Sequence, residues 1–172
     1  MGWQWSVWLL AICAIGPLIG AESDRLVQDR ARALFTSGRI REAATLVQAV
    51  LEGDANPTLI CLWGEIQFRR GDFEEAGKAF ERSSRLDPSY ARAWWGLGRV
   101  EEIHFRRDQA RALFLKAYQL EPRDTDIILS YLDGVSDPQA RRALLQNLVG
   151  LNRRADPDRA AWLSHRWRST NA

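Results

Sequence analysis

The sequence predicts an all-α chain of stacked helical hairpins, on three observations. Residues recur at one spacing: Gly64 as Gly98, Ala76 as Ala110, Phe80 as Phe114, and Leu86 with Pro88 as Leu120 with Pro122, each 34 residues on. A fixed period of that length is the mark of a repeat architecture. Glycines and prolines fall at the ends of segments with helical periodicity, and no stretch shows the strict alternation of a strand.

Each repeat reads as two helices, A and B. Helix A is expected over 24–37, 57–70 and 91–104, and helix B over 40–52, 73–86 and 107–120. The first repeat is one residue shorter: Gly38 and Ala43 precede Gly71 and Ala76 by 33, and the lost residue falls between Leu51 and Pro57, where loss is cheap. Ala31 stands where Gly64 does, and Val47 where Phe80 does.

Small Ala31, Gly64 and Gly98 predict a close approach of two helix axes. Ala43, Ala76 and Ala110 answer from the facing helix, while Phe80 and Phe114 fill the volume between hairpins. Pro88 and Pro122 end helix B because proline cannot continue the ladder. Asn56 with Pro57 forms a cap and first-turn pair. Gly71, Asp72 and Glu75 give a turn and a capping-box-like start. Phe105 occupies the turn position held by Gly38 and Gly71; if that turn needs a positive φ, phenylalanine costs about 1 kcal/mol or more there.

Beyond Pro122 the pattern fades. Thr125–Leu132 predicts another helix, with Leu132 in place of the small residue. Asp137 and Pro138 open a helix to about Val149, with Gly150 as its stop. These two helices, within 125–152, are expected to cap the array. Residues 153–172 read as a basic tail, with a short helix from Asp156 and Pro157 to about Trp167 carrying Arg159, Arg166 and Arg168. That helix either docks through Trp162 or frays.

The pattern resembles the tetratricopeptide repeat (TPR) over residues 24–124, as three repeats at 24–56, 57–90 and 91–124. The third carries Trp94, Leu97, Gly98, Ala110, Phe114, Ala117 and Pro122. The second carries Ile60, Trp63, Gly64, Ala76, Phe80, Ser83 and Pro88. The first is degenerate, with Val27, Ala31, Ala43 and Val47, as array ends often are. The resemblance implies a right-handed superhelical stack, an α-solenoid, whose helices A line a concave groove that accepts a protein segment. Transferred here, the groove shows Arg25, Gln28, Arg32 and Phe35, then Thr58, Cys61, Glu65, Phe68 and Arg69, then Arg92, Trp95, Arg99 and Glu102.

Helical spacing places Arg92, Trp95 and Arg99 on one face. Trp95 follows Trp94, taken as a core residue, so the two rings point to different sides. Two accounts of this face stand open. Either Trp95 and its arginines receive an acidic partner segment, as aromatic anchors ringed by arginine often do, or Trp95 packs between adjacent helices A and the arginines pair with Glu65 and Glu102. The chaperone-tail clamp of some family members is not expected, because Gln28, Leu62 and Gly96 break its residue set.

The chain has 172 residues, 46% of them hydrophobic and 27% charged, which suits one folded domain. The net charge of +2 implies no nucleic acid, although the cations are 22 Arg and only Lys78 and Lys116. Residues 1–21 carry no charged side chain, with an apolar run over Ser6–Ile19, Pro17, and small Gly20 and Ala21 before Glu22. They read as a cleaved secretory signal or as an uncleaved membrane anchor with Trp3, Trp5 and Trp8 at the interface. Either places the repeats outside the cytoplasm, in the periplasm of a bacterium. Cys13 lies in this leader, so Cys61 lacks a second cysteine in the body and reads as a buried small hydrophobe.

Nothing in the motifs points to catalysis, a metal or a cofactor. The two histidines, His104 and His165, stand in no ligand spacing. Adjacent acids such as Glu74–Glu75 and Glu101–Glu102 point to different helix faces. The function expected is a non-catalytic, exported protein-interaction scaffold. Its alternative is the repeat segment or accessory subunit of an exported bacterial enzyme such as a peptidase. RNA binding, as in related pentatricopeptide arrays, is disfavoured by the leader.

Overall fold

The computed structural model describes residues 25–51 and 56–170; the leader, Cys13 and residues 52–55 lie outside them. Among the described residues every regular element is a helix. In chain order they are α1 (25–36), α2 (Ile40–Leu51), α3 (Pro57–Arg70), α4 (Phe73–Leu86), α5 (Ala91–Ile103), α6 (Arg107–Leu120), α7 (Thr125–Asp133), α8 (Pro138–Ala155) and α9 (Pro157–Thr170). The first six match the expected A and B helices to within a residue. None of the described helices is long and apolar enough to cross a membrane.

The chain divides into two compact units, the division falling within α4 between Ala79 and Phe80. In the first unit, Ala31 of α1, Ala43 and Val47 of α2, and Leu62 and Ile66 of α3 form a core in which each of these residues is fully buried. Trp63 packs half-buried at its edge, and Gly64 is buried. α3 starts where the Asn56 side chain accepts a hydrogen bond from the Thr58 N–H at 2.9 Å, with Pro57 in the first turn. The Asp72 carboxylate accepts from the Glu75 N–H at 3.1 Å and opens α4.

In the second unit, α5 packs on α6, α6 on α7, α7 on α8 and α8 on α9. One core joins Ala91 and Trp95 to Ala110, Phe114, Ala117 and Ile127. A second joins Ile128 and Leu132 to Leu144, Leu145, Leu148 and Leu163.

The close approaches are made differently from the expectation. A Cβ on Gly98 would stand 2.5 Å from the Phe114 ring, so Phe114 and not Ala110 takes the space that Gly98 leaves. Gly96, absent from the repeat pattern, proves as constrained: a Cβ there would stand 2.4 Å from Phe80. A flat ring laid on bare backbone packs more apolar contact into the gap than an alanine methyl does. Ala110 is buried without being the nearest neighbour of Gly98, and Ala76 is fully buried.

Three turns join helices A to helices B, and all close alike. The N–H of Arg39 bonds Leu34 O at 2.9 Å, that of Asp72 bonds Gln67 O at 3.0 Å, and that of Arg106 bonds Glu101 O at 2.9 Å. This bond demands a left-handed residue just before the donor. Gly38 (φ 79°) and Gly71 (φ 86°) supply it without strain, and Phe105 supplies it at φ 60°. The turn is therefore kept rather than rebuilt, although the Phe105 side chain is 86% exposed and recovers little by packing. Phe105→Gly is expected to stabilise the protein by about 1 kcal/mol. Thermal melting would register this as a rise of about 2–4 °C.

The C-terminal expectations need two corrections. Gly150 does not stop α8, which runs on to Ala155. A helical glycine costs about 1 kcal/mol, and burial of Leu148 and Asn152 on either side of it outweighs that; the Asn152 amide also donates to Leu148 O at 2.8 Å and to the Thr125 hydroxyl at 3.3 Å. The helix expected from Pro157 to about Trp167 runs on to Thr170. α9 is a full helix that docks through Ala160 and Leu163, three apart on one face, while Trp162 stays 53% exposed.

Candidate functional site

The predicted groove residues fall in both units. In the first, Arg25 is exposed and Gln28 half-buried. The Arg69 guanidinium lies 5.4 Å from the centre of the Phe35 ring, and Phe68 meets Phe73 edge to face at 5.1 Å. Arg32 Nη1 stands 4.0 Å from Glu65 Oε2. Glu65 and Cys61 are buried at 5% and 0% exposure, so neither opens to a groove as expected.

In the second unit α5 carries the strongest constellation. Trp95 is only 9% exposed, and its indole N–H donates to the Ser130 hydroxyl of α7 at 2.8 Å. The Arg92 and Arg99 guanidiniums lie 5.0 and 4.7 Å from its ring centre. Residues three and four apart on a helix share a face, so the sequence order alone brings both cations to the tryptophan. The neighbouring Trp94 packs at the edge of the core that holds Trp95 rather than at its centre. It is half-buried, donates to Pro88 O at 2.9 Å, and has Lys116 Nζ 3.2 Å from its ring centre. Trp95 is thus the core ring of the pair, because its side of α5 faces α7.

Arg92 is bound on its other side. It reaches Asp124 at 2.9 Å and Asp126 at 3.3 Å, and Asp126 also accepts from Arg159 of α9 at 2.9 Å. Asp124 does double duty, since it also caps α7 by accepting from the N–H groups of Asp126 and Ile127. The contacts follow the period itself: Arg92 to Asp126 spans 34 residues, Asp126 to Arg159 spans 33, and Trp95 to Ser130 spans 35. α5 and α7 lie side by side, so residues one repeat apart on them meet. Opposite charges one period apart were the signal that would have found Asp126 and Arg159.

Burial pushes the Asp126 carboxyl upward, the largest single influence on it. The hydrogen bond from Arg159 and the charges of Arg92 and Arg159 together outweigh that and hold it below its ordinary value. Its contribution to stability is therefore fully present above the ordinary carboxylate value and fades as pH falls through the lowered one. After allowance for solvent around a side chain still 41% exposed, that contribution is about 1 kcal/mol. Acid unfolding of Asp126→Asn is expected to be flatter than the parent's over that range, with the two curves converging at the acid end.

Among the described residues no group of three histidine, cysteine, aspartate or glutamate side chains is placed to hold a metal ion. The arrangement offers aromatic and cationic contact rather than a reacting centre.

Fold and site together define a helical-hairpin repeat whose A helices are linked face to face by arginine, tryptophan and carboxylate side chains. The sequence matches the tetratricopeptide repeat family over residues 61–125. Residues 61–125 thus carry tetratricopeptide repeats, and the fold of the described helices is that of a tetratricopeptide-repeat stack. No curated protein sequence matches it. Among solved structures it is similar to TTC0263, a thermophilic TPR protein of Thermus thermophilus, at 16% identity over 84% of this chain and 89% of that one, with a TM-score of 0.63. It is similar to an O-GlcNAc transferase of Thermobaculum terrenum at 21% identity and a TM-score of 0.65, covering 78% of this chain and 26% of the enzyme. It is also similar to the second TPR domain of human RPAP3, solved with the HSP70 peptide SGPTIEEVD, at 21% identity and a TM-score of 0.54 over 62% of this chain and 90% of that one.

Proposed function

We propose that this protein is a non-catalytic interaction scaffold whose A helices receive a partner segment of acidic character. The observation that carries the reading is the α5 face, where Arg92 and Arg99 flank Trp95. Asp124, Asp126 and Ser130 hold Arg92 and Trp95 in place, and the half-buried Arg99 beside them is where a partner carboxylate would arrive. The Arg69–Phe35 pair of the first unit offers the same chemistry a second time. The RPAP3 domain, solved with a peptide ending in Glu-Glu-Val-Asp, supports an acidic ligand by likeness.

The composition of residues 1–21 supports export, and with it a partner in the periplasm or at the membrane. Fractionation of cells producing the tagged chain tests that part. Affinity capture of the full chain from its native envelope, with mass spectrometry, tests the scaffold. Arg99→Glu is expected to lose the captured partner, and unchanged capture would overturn the reading. The likeness to about a quarter of an O-GlcNAc transferase favours one second reading, the recognition segment or subunit of a larger enzyme. Copurification of a catalytic subunit would distinguish it.

A further inference from the structure

A cleft of about 510 Å³ opens in the second unit between the α5–α6 turn and the end of α7. Phe105 stands at it, 86% exposed and held at φ 60° where the other two turns carry glycine. An aromatic ring in that conformation gains little from the free chain, so its contact value lies outside it. Glu102, Asp108 and Asp133 line the same cleft, against Arg107 and Arg111. The Arg111 stem is committed to the wall, with Cγ and Cδ 3.0 and 3.3 Å from where a Cβ on Gly134 would stand. Three carboxylates thus line the cleft beside two arginines, with Glu102 and Asp133 close enough for the charge of Asp133 to act on Glu102.

The local field agrees with that count. Burial first, and the Asp133 charge second, raise the Glu102 carboxyl above its ordinary value, against the opposing pull of Arg99. A cation entering the cleft would offset the charge of Asp133 on Glu102. The volume suits one or two side chains of a polypeptide, and an exposed ring beside charged groups is the composition of an interface anchor.

We propose that this cleft docks a partner-protein segment in which an apolar side chain packs on Phe105 and an adjacent lysine or arginine meets Glu102 and Asp133. The site borders the arginine face of α5 at Ser130 but carries carboxylates where that face carries arginines, and its failure leaves that reading intact. A partner crossing both would carry acidic and basic residues in a set order.

The test titrates the full chain with the peptide amide acetyl-Leu-Arg-Leu-Lys, and with acetyl-Leu-Glu-Leu-Glu as the charge-reversed probe. Binding is followed through the backbone amide resonances of Phe105, Asp108 and Gly134. The cationic peptide is expected to shift these resonances saturably, with a Kd on the order of a millimolar or below. Phe105→Gly is expected to weaken it about fivefold or more while raising the melting temperature, a split that a purely structural role would not produce. Glu102→Gln combined with Asp133→Asn is expected to weaken it by about the same factor and to flatten its salt dependence. No saturable shift, equal affinity for the acidic peptide, or full affinity in Phe105→Gly would each overturn the proposal.

Discussion

Gly96→Ala is expected to destabilise the protein by about 2–3 kcal/mol, although alanine favours a helix over glycine by about 1 kcal/mol. The added methyl would stand 2.4, 2.5 and 2.6 Å from three atoms of the Phe80 ring. Phe80 is fully buried, so the ring has nowhere to turn, and the helices must separate or the ring must leave its rotamer. Gly98→Ala meets Phe114 at 2.5 and 2.6 Å and is expected to behave likewise. Gly150→Ala is the control: nothing lies within 4 Å of its Cβ position, and the helix should gain about 0.5–1 kcal/mol. Urea denaturation of the three variants measures the contrast. Recovery of part of the loss by Phe80→Leu in the Gly96→Ala background would locate the clash on that ring; a Gly96→Ala protein as stable as its parent would refute the close-approach account.

Trp95→Ala is expected to cost about 3 kcal/mol or more, the range for emptying a buried aromatic position. The variant loses the ring between Arg92 and Arg99 and leaves the Ser130 hydroxyl with only its donation to Asp126 O at 3.1 Å, without the indole N–H it otherwise accepts at 2.8 Å. Trp95→Phe keeps most of the buried surface and drops the N–H, so its cost should be nearer 1 kcal/mol. Chemical denaturation of both would check the ratio. The size of the alanine effect also decides how binding is tested. A loss of partner in Trp95→Ala reports damage to the α5–α7 packing, whereas Arg99→Glu alters a half-buried cation and leaves the ring in place.

The alternatives that the sequence left open for Trp95 divide along this line. Periodicity put Arg92, Trp95 and Arg99 on one face of α5, which is a property of a single helix. Which neighbour that face meets depends on how the next hairpin lies, and α7 with its N-cap supplies Ser130, Asp124 and Asp126 from a region where the repeat pattern had faded. The same blindness gave Trp94 the core role. Both positions are aromatic, and only the packing of α5 against α7 tells them apart.

Gly96 shows a further limit. Gly64 and Gly98 drew notice because they recur, but Gly96 recurs nowhere, and its constraint comes from one ring on a different helix. Arg159 was read as part of a basic tail because its charge is local information, while its partner Asp126 stands 33 residues earlier.

By itself the sequence determined the all-α class, the six helices of the repeats to within a residue, the caps at Asn56 and Asp72, and the glycine turns at Gly38 and Gly71. Those features follow from local backbone preferences and from a period that any chain position reports. Only the tertiary structure decided which rings meet which glycines, that Trp95 and not Trp94 is the buried partner, that Asp126 ties α5 to α9, and that a carboxylate-lined cleft opens beside Phe105. These depend on distances between residues far apart in the chain, and such distances are set by the packing of whole helices rather than by any one segment.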